Sequence, residues 1–200
     1  MGVYKMNDIQ ELKEYAILNK VPIMQDKGID FLTKFIIENK INSVLEIGTA
    51  IGYSAIMMAL ANPNLKITTI ERDQERYLEA VKNIKKFNLD DRITLVFSDA
   101  LEANIEDTFD MIFVDAAKGQ NINFFNKFEK NLNKNGFIIT DNMNFHGLVD
   151  KPNAEIESRN LRQLVRKIRE YKEFLLEKTD YKVSFLDIGD GIAIAEQLDK

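Results

Sequence analysis

The stretch Ser43-Val44-Leu45-Glu46-Ile47-Gly48-Thr49-Ala50-Ile51-Gly52-Tyr53-Ser54 decides how the rest of the chain is read. Val44, Leu45 and Ile47 make a short apolar, β-leaning run that stops at Gly48, and helix-compatible residues from Ser54 to Leu60 resume after Gly52. A strand that passes straight into a helix is how a parallel strand enters its crossover. Gly48 and Gly52 let the backbone bend and lie close to a ligand, and the start of the helix offers free N–H groups there. The spacing G-x-x-x-G lacks the third glycine of a dinucleotide fingerprint, and no Lys-Ser/Thr of a P-loop follows. Instead Glu46 stands two residues before Gly48. A carboxylate there repels phosphate and suits a cationic ligand, such as the ammonium group of an amino-acid moiety. The plain alternative is an ordinary βα turn of an α/β domain.

Outward from this turn the chain alternates strand and helix. Periodicity predicts helices over 7–18 and 26–38, interrupted at Val21-Pro22-Ile23-Met24 because the residue before a proline resists the α region. It then predicts strand 43–47, helix 52–60, strand 65–71, helix 73–87, strand 92–97, strand 109–115, helix 121–132 and strand 136–141. A long helix over 154–177 and two strands, 181–186 and 191–195, close the chain. The turn Gly189-Asp190-Gly191 marks those strands as a hairpin. The fold class expected is α/β and Rossmann-like: a mostly parallel seven-stranded sheet, helices on both faces, and an antiparallel C-terminal hairpin.

With 200 residues, no repeats and no low-complexity tract, a single domain over 1–200 is expected. The absence of cysteine excludes disulfides and thiolate chemistry, and one histidine leaves little for a zinc site, so any metal must be held by oxygen. Met1 to Lys20 has no apolar core of signal-peptide length and no run approaches a membrane span, which predicts a soluble cytoplasmic protein without a membrane partner. The formal charge of −5 disfavours a wholly electrostatic nucleic-acid binder and leaves room for a local basic face.

In an open sheet of this kind ligands gather at the carboxyl ends of the strands. Those ends read Glu46 and Gly48, then Glu71, Asp99-Ala100, Asp115 and Asp141-Asn142. Glu71 lies 23 residues after Gly48, close to where an acidic group grips ribose hydroxyls. Its other reading is a cap for the next helix, a role for which Asp73 is better placed. Asp99 and Ala100 suit an adenine, the first accepting from the base amine and the second leaving room for the ring. Asp115, Asp141 and Asn142 bring two carboxylates and an amide oxygen together, a hard donor set of the kind Mg²⁺ prefers, with positions left for two adjacent substrate oxygens. Asp141-Asn142 alone also reads as a turn at a strand end. Lys118, three residues past Asp115, reaches over the same place, and an amine beside a cation can accept a proton.

Leu45 to Ser54, Val114-Asp115-Ala116-Ala117-Lys118-Gly119-Gln120 and Thr140-Asp141-Asn142 together resemble the cation-dependent class I S-adenosylmethionine O-methyltransferases, the group containing catechol and caffeoyl-CoA O-methyltransferases. The resemblance runs from Pro22 to the C-terminal hairpin. It implies that Met24 touches the methyl-donor region of S-adenosylmethionine and Glu46 holds its amino group. Gly48, Thr49 and Ser54 would surround the methionine part, Glu71 the ribose, and Asp99 with Ala100 the adenine. Asp115, Asp141 and Asn142 match metal ligands for Mg²⁺, or Mn²⁺ or Ca²⁺, with Asp115 also facing the cofactor; Lys118 matches the catalytic base. The resemblance further implies a homodimer, with the N-terminal helices over 1–40 covering the cofactor and substrate site.

Val21-Pro22-Ile23-Met24 and the Asp115–Gln120 run are most similar to a bacterial subgroup that methylates 5-hydroxyuridine at the tRNA wobble position. Ala116-Ala117 would open the mouth of the site, and the insertion that shapes a caffeoyl-CoA pocket is not evident. Arg159, Arg162, Arg166 and Arg169 recur at steps of 3, 4 and 3 and form one stripe; Lys151 to Lys182 holds nine basic and six acidic residues. Docking of the tRNA anticodon region is one reading of that stripe, and a solvated helix face is the other. His146 reads either as a group that stacks on or hydrogen-bonds to a base, or as a capped loop histidine. The function expected is therefore metal-dependent methylation of tRNA 5-hydroxyuridine to 5-methoxyuridine. The alternatives are a small-molecule catechol or caffeoyl-CoA type enzyme and a non-catalytic nucleoside-binding domain.

Overall fold

A computed structural model describes residues 3–199; positions 1, 2 and 200 of the expected 1–200 domain lie outside the described residues. In chain order the elements are α1 (Val3–Leu18), α2 (Asp26–Glu38), β1 (Ser43–Ile47), α3 (Tyr53–Ala61), β2 (Lys66–Glu71), α4 (Gln74–Lys86) and β3 (Ile93–Phe97). There follow β4 (Phe109–Val114), α5 (Asn121–Phe128), β5 (Leu132–Thr140), α6 (Arg159–Glu177), β6 (Tyr181–Leu186) and β7 (Ile192–Gln197). The strands form a seven-stranded sheet in the order β3-β2-β1-β4-β5-β7-β6. The β1–β2, β2–β3 and β4–β5 pairs are parallel, while β7 runs antiparallel to both β5 and β6, as the hairpin turn predicts. The chain divides into two compact units, Met1–Ala103 and Asn104–Lys200.

In the first unit, Val44, Leu45, Glu46 and Ile47 of β1 are all buried, the mark of a parallel strand with no solvent face. Helix α3 is apolar almost throughout and buries Tyr53, Ser54, Ala55, Ile56, Met58 and Ala59. Helix α2 is amphipathic, burying Ile29, Leu32 and Ile36 at helical spacing. The Asp73 side chain caps α4 by accepting the Arg76 N–H at 3.0 Å, and Lys85 and Lys86 fall in its last turn, where positive charge complements the helix dipole. Lys86 also reaches Asp8 at 3.2 Å and Glu11 at 2.6 Å, tying α1 to α4; Lys13 reaches Asp26 at 2.5 Å, tying α1 to α2.

In the second unit three expected boundaries move by more than two residues, each for a visible reason, and β7, expected over 191–195, runs on to Gln197. Helix α5 stops at Phe128, not 132, and a 3-10 turn over Glu129–Asn131 follows. The buried Asn131 side chain donates to the carbonyls of Ile105 and Asp107 at 2.9 and 2.8 Å, which draws the chain out of the helix. Strand β5 begins at Leu132, not 136, with an irregular register that pairs Phe109 with Leu132 and Met111 with Phe137. Gly136 sits at that irregularity, where a Cβ would lie 2.9 Å from the Asp110 carbonyl oxygen. Helix α6 begins at Arg159, not 154. Ser158 caps it by accepting the Leu161 N–H at 3.1 Å, and the Arg162 guanidinium takes the carbonyls of Ile156 and Glu157 at 2.5 and 3.4 Å.

The buried stripe of α6 is Val165, Ile168, Tyr171 and Leu175. The Tyr171 hydroxyl bonds Thr140 Oγ1 at 2.9 Å at the end of β5, and burial pushes its phenol pKa up. Lys178 sits over the rings of Phe125 and Phe174, at 4.8 and 5.1 Å, and pairs with Glu129 at 2.9 Å. Strand β6 is last in the sheet order; its Lys182 pairs with Glu196 at 3.5 Å, and Lys172 lies 5.7 Å over the Phe185 ring.

Candidate active site

The turn after β1 is built as its glycines require. Gly48 and Gly52 have φ of 100° and 88°, in the left-handed region that glycine tolerates, and Ala50 between them has φ 47°. The N–H groups of Gly48 and Thr49 both donate to the Ile70 carbonyl, and the Asn83 side chain holds the Ile51 carbonyl at 2.9 Å. Glu46 is fully buried and accepts hydrogen bonds from Ser54 Oγ at 2.5 Å and from Thr69 Oγ1. Thr69 Oγ1 also lies 2.6 Å from Thr49 Oγ1. Four residues named by the sequence therefore converge here (Glu46, Gly48, Thr49 and Ser54), joined by Thr69, which sequence reasoning missed. Glu46 and Thr69 are register partners on β1 and β2, and that pairing is the signal that could have found it.

Glu71 closes the same turn from β2. One of its oxygens accepts the Ala50 N–H at 2.8 Å; the other accepts the N–H groups of Arg72 and Asp73 at 2.9 and 2.8 Å. Capping of α4 falls to Asp73, so Glu71 instead fixes the glycine turn against the end of β2. Asp99 accepts the Leu101 N–H at 2.9 Å and pairs with Arg72 at 3.1 Å, beside the buried Ala100. Met24 is buried, and Gly28 leaves room for it, since a Cβ there would meet Met24 Cε at 2.8 Å. Tyr53, also unremarked in the sequence, is buried under Lys13, whose ammonium lies 5.8 Å over the ring.

The second unit holds the other cluster. Asp115 follows β4, and its Oδ1 lies 3.3 Å from the Lys118 ammonium and accepts the Asn142 side-chain N–H at 3.2 Å. Lys118 opens a 3-10 turn over Lys118–Gln120. Asp141 is 5 % exposed and its N–H donates to the Val114 carbonyl at 3.1 Å. Burial first, and the Asp115 charge second, push the Asp141 carboxyl up to about 7. Asn142 has φ 64°, a left-handed backbone that asparagine adopts more readily than most residues.

This donor set fits a divalent cation. Burial and like charge both penalise ionisation of Asp141, a penalty that a cation between the carboxylates relieves. Every donor is a hard oxygen, as Mg²⁺, Mn²⁺ and Ca²⁺ require. Among the described residues no three His, Cys, Asp or Glu converge to hold a metal, and a cation beside Asp115 and Asp141 would take the Asn142 amide oxygen as its third protein donor.

The arginines of α6 are placed unevenly. Arg169 donates to the carbonyls of Val149 at 2.8 Å and Lys151 at 2.5 Å and to Asn153 Oδ1 at 2.9 Å, and Arg162 is engaged as described. Arg159 is exposed, and Arg166 is exposed with a pairing to Glu170 at 3.4 Å. His146 is 70 % exposed; its backbone N–H donates to Asp190 Oδ1 at 2.5 Å, and its Nδ1 lies 3.8 Å from the same oxygen.

The Rossmann-like sheet, with a glycine turn after β1, belongs to the α/β class of ligand-binding folds. Residues 2–198 match the family model described as O-methyltransferase, and the chain belongs to that family. It is 37 % identical to a Staphylococcus aureus protein solved as a candidate caffeoyl-CoA O-methyltransferase, with a TM-score of 0.90 over 94 % of this chain and 91 % of that one. The O-methyltransferase of Bacillus cereus, solved in complex with SAH, is 25 % identical with a TM-score of 0.81, covering 96 % of this chain and 90 % of that one. Among plant relatives, the caffeoyl-CoA O-methyltransferase of Populus kitakamiensis is 28 % identical over 93 % of this chain and 82 % of its own length.

Proposed function

We propose that the protein transfers the methyl group of S-adenosylmethionine to one of two adjacent oxygens of a small aromatic acceptor of the catechol or caffeoyl type, with help from a divalent cation. The observation that carries this reading is the convergence of Asp115, Asp141, Asn142 and Lys118, with the Asp141 carboxyl buried beside the Asp115 charge. The names of the relatives support the acceptor class.

In this reading Glu46, oriented by Ser54 and Thr69, accepts the cofactor's ammonium; Glu71 accepts from its ribose, and Asp99 beside Ala100 takes the adenine. Asp115, Asp141 and Asn142 would hold a divalent cation, which when bound would supply Lewis-acid charge to the acceptor. Lys118 takes the proton of the hydroxyl, and that oxygen receives the methyl as the sulfonium carbon–sulfur bond breaks. Alignment of the two reactants supplies up to roughly 7–11 kcal/mol of the barrier lowering.

The wobble-uridine reading uses the same chemistry, because O5 and O4 of 5-hydroxyuridine are also adjacent. It is favoured by the likeness of Val21-Pro22-Ile23-Met24 and of the Asp115–Gln120 run to the bacterial wobble-uridine subgroup. Against it, Arg162 and Arg169 are occupied by carbonyls of their own chain, leaving Arg159 and Arg166 as the outward charges of the stripe. The test is methyl-labelled S-adenosylmethionine with Mg²⁺ and either a simple catechol or tRNA carrying 5-hydroxyuridine, each with and without EDTA. Label on the catechol that EDTA abolishes is expected. Label on the tRNA alone would replace the small-molecule reading with the RNA one, and label that survives EDTA would remove the cation.

A further inference from the structure

Asp190 was read in the sequence only as the middle of a hairpin turn, yet it is 7 % exposed and its contacts all point one way. Its Oδ1 accepts the His146 N–H at 2.5 Å, and its backbone carbonyl accepts the Asn144 N–H at 2.7 Å. On either side, Gly191 accepts the Met143 N–H at 2.9 Å, and Asp187 Oδ1 accepts the Asn144 side-chain N–H at 2.9 Å. The approach is so close that a Cβ on Gly191 would lie 2.7 Å from the Asn144 nitrogen. The segment held in this way is Asn142 to Gly147, in which Asn142, Phe145 and His146 have φ of 64°, 43° and 55°. Asparagine and histidine enter this region more readily than most residues, but for Phe145 it is disfavoured and persists only where the surroundings impose it. The second Asp190 oxygen, Oδ2, is buried without a hydrogen-bond partner among the described residues, and the Asp190 charge is felt by Asp141. A buried carboxylate left half satisfied is costly enough to mark a role beyond turn formation.

We propose that Asp190 is a positioning residue for the divalent-cation site: by clamping the 142–147 segment it holds Asn142 in the backbone conformation that presents its side chain beside Asp115. The inference rests on the cation reading given under Proposed function and goes beyond it, because Asp190 itself is not one of the ligands. Outer residues that orient ligands are worth 10–100-fold in metal affinity, which sets the size of the effect. Coupling must also be reciprocal, so a bound cation has to protect the clamp as the clamp favours the cation.

The experiment measures Mn²⁺ binding by the loss of the free-ion electron paramagnetic resonance signal, and hydrogen exchange of the 142–147 amides, on the full chain. Asp190→Ala is expected to weaken Mn²⁺ binding about tenfold or more and to speed exchange at His146. Asp190→Asn, which keeps an acceptor for the His146 N–H, is expected to restore most of the protection and part of the affinity. His146→Ala, which retains the backbone N–H, should bind Mn²⁺ as the unaltered protein does. In the unaltered protein, Mn²⁺ should slow exchange of the 142–147 amides, an arm that does not depend on any variant folding. If the unaltered protein binds Mn²⁺ but its 142–147 exchange is insensitive to the ion, or if a folded Asp190→Ala protein binds it normally, the positioning role is wrong and the cation site stands. No Mn²⁺ binding by the unaltered protein would remove both.

Discussion

Lys118 and Asp141 sit in one cluster, and the duties proposed for them can be told apart by single substitutions. Lys118→Ala removes the proposed proton acceptor and leaves the oxygen donors intact. Turnover is expected to fall by about 10²–10⁴, the usual worth of a positioned acid or base, with Mn²⁺ affinity nearly unchanged. Asp141→Asn instead removes a charge from the donor set, so Mn²⁺ affinity should fall along with activity. Equal loss of Mn²⁺ binding in both variants would make Lys118 a structural partner of Asp115 and not the base. Thr69 offers an independent test of the other cluster. Thr69→Val deletes the hydroxyl shared by Glu46 and Thr49 and leaves a fully buried carboxylate one donor short. Such a loss costs about 1–3 kcal/mol, to be read in urea unfolding, and titration calorimetry with SAH should show weaker binding. Unchanged SAH binding by a folded Thr69→Val protein would separate Glu46 from the cofactor.

At the scale of elements, the start of α6 shows what local sequence carries and what it does not. Periodicity places the helix, and Ile168, Tyr171 and Leu175 of its expected apolar face are buried. Val165 completes the buried stripe, where the pattern predicts Leu161 and Leu164, which are only half-buried. The first turn is misplaced, since nothing in a linear pattern says that Arg162 will fold back onto the carbonyls of Ile156 and Glu157. The same limit hid the irregularity at Gly136 and the pairing of Glu46 with Thr69, both of which depend on a neighbouring strand. By contrast, the turn from β1 to α3 and the acidic strand ends were legible, because each is written within a few consecutive residues. Arg162→Ala should therefore weaken the entry to α6 more than an exposed charge removal would. A loss of about 1 kcal/mol in urea unfolding is expected, similar to that for Ser158→Ala, which removes the cap itself. If Arg162→Ala is neutral while Ser158→Ala is not, the guanidinium is an onlooker and its charge is available for other partners.

For the molecule as a whole, two compact units divide the duties that the proposed reaction requires. Glu46, Glu71, Asp99 and Ala100, proposed for the cofactor, fall in Met1–Ala103, and the residues proposed for the cation fall in Asn104–Lys200. No helix among the described residues is long and apolar enough to cross a membrane. The sheet that spans this chain ends at β6, and an end strand carries a consequence for how copies of the protein behave at high concentration. Its outer backbone groups are a template for another strand, the usual route to edge-to-edge aggregation. Here Lys182 places a charge on that strand and Lys172 covers the ring of Phe185, so a second copy arriving there would have to bury an ammonium. Replacing both lysines by threonine should leave the fold and the methyl-transfer sites untouched while raising light scattering on concentration, and scattering equal to that of the unaltered protein would show that something other than these charges guards the edge.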